Sequence, residues 1–358
     1  MRSGRSLAAI ALVGTLAGSA LAGTTEAQDG VVIGYSAPGL VGAQREIQQG
    51  LVDHAEEKGW EVLTTTSNND VQKQLDDINA YIAQQVDAIV AVPDDSAAIC
   101  TAVEAATEAG IPFYTIDRAP LGCAINMTVL SDNALAGRQS GEELVKLLTE
   151  RYGSPQGTVL EITGELSQNV AQLRGSGFQE VISQYPEITL ITRTAEKWDS
   201  AQAADIVRDV ASSEELDAIY MHSDSAYTPG TLQVLREIEQ LVPRGEDGHI
   251  FLAGVDGSVE ALEAIRAGNA DQSSNQPIPD FGIITDWIEM ELNGDPIEAG
   301  EVVEEGALWS PGRIEMSDVG PQLLLATTNV TAANVDDARL WANVMMARDA
   351  EPAATPAS

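Results

Sequence analysis

At 358 residues, 44% of them apolar, the chain has the length and hydrophobic content for two cores of ordinary size. Its formal charge of −36, from 55 acidic and 19 basic residues, excludes nucleic acid and anionic membrane surfaces as partners, because both would be repelled. Most of these carboxylates read as solvated helix faces, so the acidity itself says little about a ligand.

Arg2 and Arg5 give a basic start, 7–21 an apolar stretch, and the small residues Ala20 and Ala22 a cleavage site, with Thr25-Glu26-Ala27 as a second one. Residues 1–22 are therefore expected to be an export signal, removed after Ala22 or as late as Ala27. The stretch is short and rich in Ala and Gly, and no later segment reaches about 18 uninterrupted apolar residues, so the mature chain is expected to be exported and soluble. No cysteine stands near the cleavage site to carry a lipid anchor.

Residues 31–36 predict a first strand that runs into Pro38-Gly39. A helix follows over 43–58, with Ile47, Leu51 and Ala55 at helical spacing and Gly59 as its stop. A strand over 60–66 ends at Asn68-Asn69-Asp70, a helix covers 72–85, and a strand over 88–92 ends in Pro93-Asp94-Asp95-Ser96. After a helix to Ala109 and Gly110, the strand 113–116 breaks abruptly into Asp117 and Arg118. Buried strands alternating with amphipathic helices predict right-handed βαβ units and a parallel sheet. Cys100 falls in the helix before the Asp117 strand and Cys123 in the loop after it. A bridge between them would add about 3 kcal/mol by loop closure; two buried thiols are the other reading, and sequence alone leaves both open.

The pattern then restarts, with helices over 134–152, 171–185, 201–212, 229–241 and 259–267 and strands over 157–163, 188–195, 218–222 and 250–255. Ser131, Asp132 and Asn133 sit between the two sets, where a hinge is expected. The chain then gives 271–279, a helix over 280–293 and a polar run to Gly306. The expected layout is a first lobe of 31–131 plus about 277–308, a second of 132–276 plus about 309–328, a C-terminal extension over 329–349 and a disordered tail over 350–358, rich in Ala, Pro, Thr and Ser.

In an open parallel sheet the ligand crevice lies beyond the carboxyl ends of the strands. Those ends carry Asn68-Asn69, Asp94-Asp95-Ser96, Asp117-Arg118, Ser223-Asp224, Asp256-Gly257 and Asn275-Gln276. Carboxylates, amides and a guanidinium gathered at one edge can saturate the hydroxyls of a carbohydrate. Trp198, directly after a strand, either stacks on the apolar face of a sugar ring or caps the core of its lobe. Catalytic readings find no support. His54, His222 and His249 lack metal-site spacing, and there is no nucleophile elbow, phosphate loop or dinucleotide fingerprint.

With these residues in view the sequence resembles periplasmic sugar-binding proteins of the ribose-binding type, the receptors of ABC importers. The resemblance runs from Val31 to about Trp341 and is carried by T-I-D-R at 115–118, S-D-N at 131–133, R-G-S-G-F at 174–178, S-D-S-A-Y at 223–227 and G-V-D-G at 254–257. It implies an α/β fold of two Rossmann-like lobes with parallel sheets joined by a three-crossing hinge, the type I periplasmic binding protein architecture. By position it implies Asp117 and Arg118 as the hydroxyl clamp of the first lobe. On the other side it implies Trp198, Ser223, Asp224, Asp256 and Gln276 as ligand contacts, with Gln172 where ribose receptors carry a second arginine.

The resemblance further implies a periplasmic, monomeric, non-enzymatic receptor that needs no cofactor or metal, binds a small-molecule sugar or polyol, and has a membrane permease as partner. Where the family shows Asn-Pro-Phe-Phe after the first strand, this chain has Val41-Gly42-Ala43-Gln44. One wall has lost its stacking rings. A larger sugar, a cyclitol or a nucleoside is therefore the alternative ligand, and a chemoreceptor or sensor kinase the alternative partner. A repressor with the same two-lobe core is disfavoured by the export signal and by the lack of a helix-turn-helix segment.

Overall fold

Strands flanked by helices on both faces are hidden from water on both, and β3 (Ala88–Ala91) and β4 (Phe113–Ile116) are buried at every position. The computed structural model describes residues 30–40 and 42–350. The expected export signal, its cleavage sites, Val41 and the tail 351–358 lie outside the described residues.

The first lobe runs β1 (Val32–Ala37), α1 (Ala43–Glu57), β2 (Glu61–Thr66), α2 (Val71–Gln84), β3, α3 (Cys100–Ala109), β4 and β5 (Met127–Ser131). The chain then crosses to α4 (Asn133–Tyr152), β6 (Gly157–Thr163), α5 (Asn169–Ile182), β7 (Ile188–Thr194), α6 (Ser200–Ser213), β8 (Ala218–Met221), α7 (Asp224–Glu237), β9 (Phe251–Asp256), α8 (Val259–Arg266) and β10 (Gln272–Asn275). It returns through a 3-10 turn (Pro279–Ile283) into α9 (Ile284–Leu292), β11 (Gly300–Val302), β12 (Gly312–Ser317) and β13 (Gly320–Leu325). A third crossing leads to β14 (Thr328–Thr331) and α10 (Trp341–Ala350).

The sheets have strand orders β11-β12-β13-β5-β4-β3-β1-β2 and β14-β10-β9-β8-β6-β7. The residues 309–328, expected in the second lobe, are corrected by this topology. β12 and β13 form an antiparallel hairpin, and β13 pairs in parallel with β5 through Leu323 opposite Val129. That run belongs to the first sheet because Leu323 and Leu325 bury their side chains there. Only the short β14 reaches the second sheet, antiparallel to β10.

Register aligns the strand tips. Ala37 lies opposite Thr66, and Ala91 opposite Thr115, so the turns after β1, β2, β3 and β4 share one edge. In the other sheet Asn275 lies opposite Asp256, and Met221 opposite Gly254. The two polar edges face one another. Across the gap Gln168 donates to the Asp94 carbonyl at 2.7 Å, Asn169 N–H to Ser96 Oγ at 3.2 Å, and Ala119 N–H to Asn169 Oδ1 at 3.0 Å. The loop carrying Ala119 is tethered, because Cys100 and Cys123 are bridged. α10 adds another link: the Trp341 indole donates to the Asp256 carbonyl at 2.9 Å, and Arg348 lies 3.3 Å from Glu46 of α1.

Candidate functional site

Between the two edges lies a cavity of about 200 Å³. That is smaller than the roughly 300–1,000 Å³ of a site for a drug-sized ligand, so it suits a small guest. From the first lobe Gln44, Asn69, Asp117 and Arg118 line it; from the second come Arg174, Lys197, Trp198, Ser223, Ser225 and Asp256, and from the second crossing Gln276. Asn69, Asp117, Lys197, Trp198 and Asp256 all have positive φ (58°, 67°, 55°, 58° and 129°), although none is glycine. Backbone strain of this kind persists only where the surroundings enforce it, and it gathers at functional sites.

Asp117 directly follows β4 and is 6% exposed. Its Oδ2 accepts from Gln44 Nε2 at 3.0 Å and lies 3.5 Å from Arg118 Nε. Arg118 Nη1 donates to the Pro93 carbonyl at 3.0 Å, which fixes the plane of the guanidinium. Burial pulls the Arg118 pKa down, and the neighbouring carboxylates of Asp117 and Asp94 oppose that pull.

The opposite wall is built around Arg174. Its Nε donates to Asn133 Oδ1 at 2.8 Å, and its Nη1 to the His222 carbonyl and to Asp256 Oδ1 at 3.1 Å. Asp256 Oδ2 accepts from Ser223 and Ser225, each at 2.6 Å. Gln276 Nε2 also reaches Asn133 Oδ1, at 3.1 Å. Asn133, the last residue of the expected hinge triplet, is thus bound to two cavity residues. Of the other two, Asp132 caps α4 and accepts from Arg313 at 3.0 Å, and the Ser131 carbonyl accepts from Asn133 Nδ2.

The R-G-S-G-F run has a steric explanation. A Cβ on Gly177 would collide with the Ala134 carbonyl, and one on Gly137 with the Arg174 carbonyl. Only glycines let α4 and α5 approach this closely, and that approach seats Arg174 beside Asn133. Trp198 is half-buried, with its six-membered ring against Gly164 and its Nε1 donating to Gln168 Oε1 at 2.6 Å. Arg174 lies 5.6 Å from the ring centroid.

The family model for the periplasmic binding protein domain matches residues 33–288. The chain belongs to that family. The ribose import binding protein of Bacillus subtilis is 28% identical over 221 residues, 62% of this chain and 67% of that protein. A xylitol-binding protein of Mycolicibacterium smegmatis is 26% identical over 226 residues, 63% of this chain and 61% of that protein. The periplasmic binding component of the arabinose ABC transporter from Shewanella sp. ANA-3, solved with α- and β-L-arabinofuranose, shares the fold with a TM-score of 0.73 at 20% identity, covering 91% of this chain and 100% of that one.

Of the residues expected in the site of this periplasmic binding protein, Asp117, Arg118, Trp198, Ser223, Asp256 and Gln276 line the cavity. Gln172 does not: it donates to the Leu166 carbonyl at 2.9 Å on an exposed face of α5. Two residues along a helix turn the side chain by about 200°, so Gln172 faces out because Arg174 faces in. Asp224 is also displaced from its expected role. Its carboxylate turns away from the cavity and accepts from the N–H groups of Gly257 and Ser258, each at 3.1 Å, and from Ser273 Oγ. It holds the turn that carries Asp256. Arg174, Gln44, Lys197 and Ser225 were not among the expected contacts, although Arg174 stands in the R-G-S-G-F run and Ser225 in S-D-S-A-Y.

Burial raises the carboxyl pKa values of Asp94, Asp256 and Asp224, the last helped by the Asp256 charge, and lifts Asp280 at the second crossing to about 6. Each folded value lies above the ordinary 3.8, so the folded chain holds these protons more tightly than the unfolded one. The cost of ionising them is absent below 3.8, grows with pH, and for Asp280 is complete above about 6. Repulsion within a chain of net charge −36 acts in the same direction. The melting temperature is therefore expected to fall as pH rises from 5 to 8, with a shallower fall in Asp280→Asn. A melting temperature that climbs over this range would contradict the assignment.

Proposed function

We propose that this periplasmic binding protein is an exported, monomeric receptor that encloses a sugar or sugar-like polyol between its lobes and presents it to an ABC import permease. The carrying observation is the small cavity itself, walled by Asp117 and Arg118 on one lobe and by Arg174 and Asp256 on the other. A hydroxyl both donates and accepts, so a polyhydric guest can use carboxylate and guanidinium together. Ribose, xylitol and arabinose, named for the three relatives above, are guests of this kind. No step of catalysis is assigned to the protein. The guest would stabilise the closed form through contacts that only the closed form offers, with Ser131, Asp132 and Asn133 as the first hinge segment.

The test is a thermal-shift screen of the purified protein against pentoses, pentitols, hexoses, myo-inositol and nucleosides, because a guest that binds only the folded chain raises its melting temperature. A selective rise with a sugar or polyol is expected. A rise with nucleosides alone would overturn the sugar assignment, and conversion of a bound sugar to product would overturn the non-enzymatic one.

A further inference from the structure

α10 lies beyond the residues 33–288 that match the family model, and its two halves touch different lobes. The first half is rooted in the second lobe. Leu340, Trp341 and Ala342 are buried, and the Trp341 indole donates to the carbonyl of Asp256, the wall residue at the end of β9. Arg266 of α8 donates to Asp336 Oδ1 at 2.7 Å, to the Val335 carbonyl at 2.9 Å and to Asn343 Oδ1 at 2.7 Å. Asn343 Nδ2 donates in turn to the carbonyls of Val335 and Asp337, at 2.9 and 2.8 Å. The second half of α10 reaches the first turn of α1, in the first lobe. There Arg348 Nη2 lies 3.3 Å from Glu46 Oε2, and Arg45 Nη2 lies 3.8 Å from Met345 Sδ.

The two ends differ in strength. The Arg348 side chain is 53% exposed, so its pair with Glu46 is weak and easily parted, whereas the root holds a buried indole and a network of bonds to the backbone. Any separation of the lobes would therefore break the α1 end and leave α10 on the second lobe. We propose that α10 is a strap across the cleft, with Trp341 and Arg266 as its fixed end and Met345 and Arg348 as its releasable end. The arrangement that sets Asp117 across from Asp256 also sets Arg348 beside Glu46. A contact made only in the closed arrangement favours that arrangement, with or without a guest. The strap thus biases the empty protein toward closure and slows the exit of a guest. Only the second effect rests on the receptor reading above.

Small-angle X-ray scattering of the guest-free protein tests the first effect. A chain ending at Val344 keeps Trp341 and Asn343 but loses Met345 and Arg348; it is compared with a chain ending at Ala350. The shorter chain is expected to show the larger radius of gyration, and Arg348→Glu, which sets like charges together, to shift it the same way. Arg208→Glu makes the same change of charge between α6 and α7, where Arg208 meets Asp205 and Glu237, and is expected to leave the radius unchanged. Equal radii in all four proteins overturn the strap, and so does an equal expansion in Arg208→Glu, which would make net charge the cause. If the shorter chain fails to fold, Arg348→Glu against Arg208→Glu decides alone. For a sugar or polyol found in the thermal-shift screen, stopped-flow release from Arg348→Glu is expected to be about two- to fivefold faster, the range of a half-exposed ion pair. An unchanged release rate overturns the effect on exit. A screen without any hit overturns the receptor reading and leaves the scattering comparison to decide the strap.

Discussion

Replacing Asp117 by Asn is expected to weaken guest binding by roughly 10- to 150-fold, since a hydrogen bond to a charged group contributes about 1.5–3 kcal/mol. Asn is the informative substitution because the backbone here sits at φ 67°, a region that Asn tolerates and Ala does not. The variant keeps the shape of the side chain and one acceptor, but it loses the negative charge. The fold should survive, because Arg118 still has the Asp94 carboxylate nearby and its bond to the Pro93 carbonyl. Titration calorimetry gives the affinity, and a melt without ligand gives the stability. An intact affinity would remove Asp117 from the site; a collapsed melt with no folded population would show that its role is structural.

Asp117 and Arg118 were legible in the sequence because an apolar run of four residues ends on them, and a charge at that point has nowhere to go but the sheet edge. The same logic found Asp256 at the end of β9 and Gln276 just after β10. It failed where function depends on helix phase. Gln172 and Arg174 are equally polar and two residues apart, and only the contact between α4 and α5 decides which of them faces the cavity. It failed again where a polar strand hides in the core. β10 reads Gln-Ser-Ser-Asn and shows no apolar alternation, yet every residue is buried, because Ser140 and Gln272 pair inside the second lobe at 3.0 Å. The β12–β13 hairpin was missed for a related reason: its partner in the first sheet, β5, lies nearly 200 residues earlier, and no local pattern announces such a pairing. Asp224 shows a third kind of failure. Its position beside Ser223 suggested ligand contact, but the start of α7 turns its carboxylate toward the backbone of the β9–α8 turn.

Arg174→Met should have the largest effect on the fold as well as on binding. Arg174 is 4% exposed, and its guanidinium serves three acceptors on three different elements: Asn133 at the first crossing, the His222 carbonyl after β8, and Asp256 at the end of β9. Methionine fills much of the volume but leaves the Asp256 carboxylate buried, with two serine hydroxyls and no cation. Breaking a buried ion pair from one side costs about 3–5 kcal/mol, most of it the price of the stranded charge. Urea unfolding should report a loss of that size, accompanied by loss of detectable binding. Arg174→Lys should recover only part of either, because a single ammonium cannot span three acceptors in one plane. The decisive comparison is the double variant Arg174→Met with Asp256→Asn. If the stranded charge is the cause, neutralising it restores a measurable share of the stability, and the two substitutions are strongly non-additive. Simple additivity would mean that Arg174 acts through packing alone, and the electrostatic account of this wall would then fail.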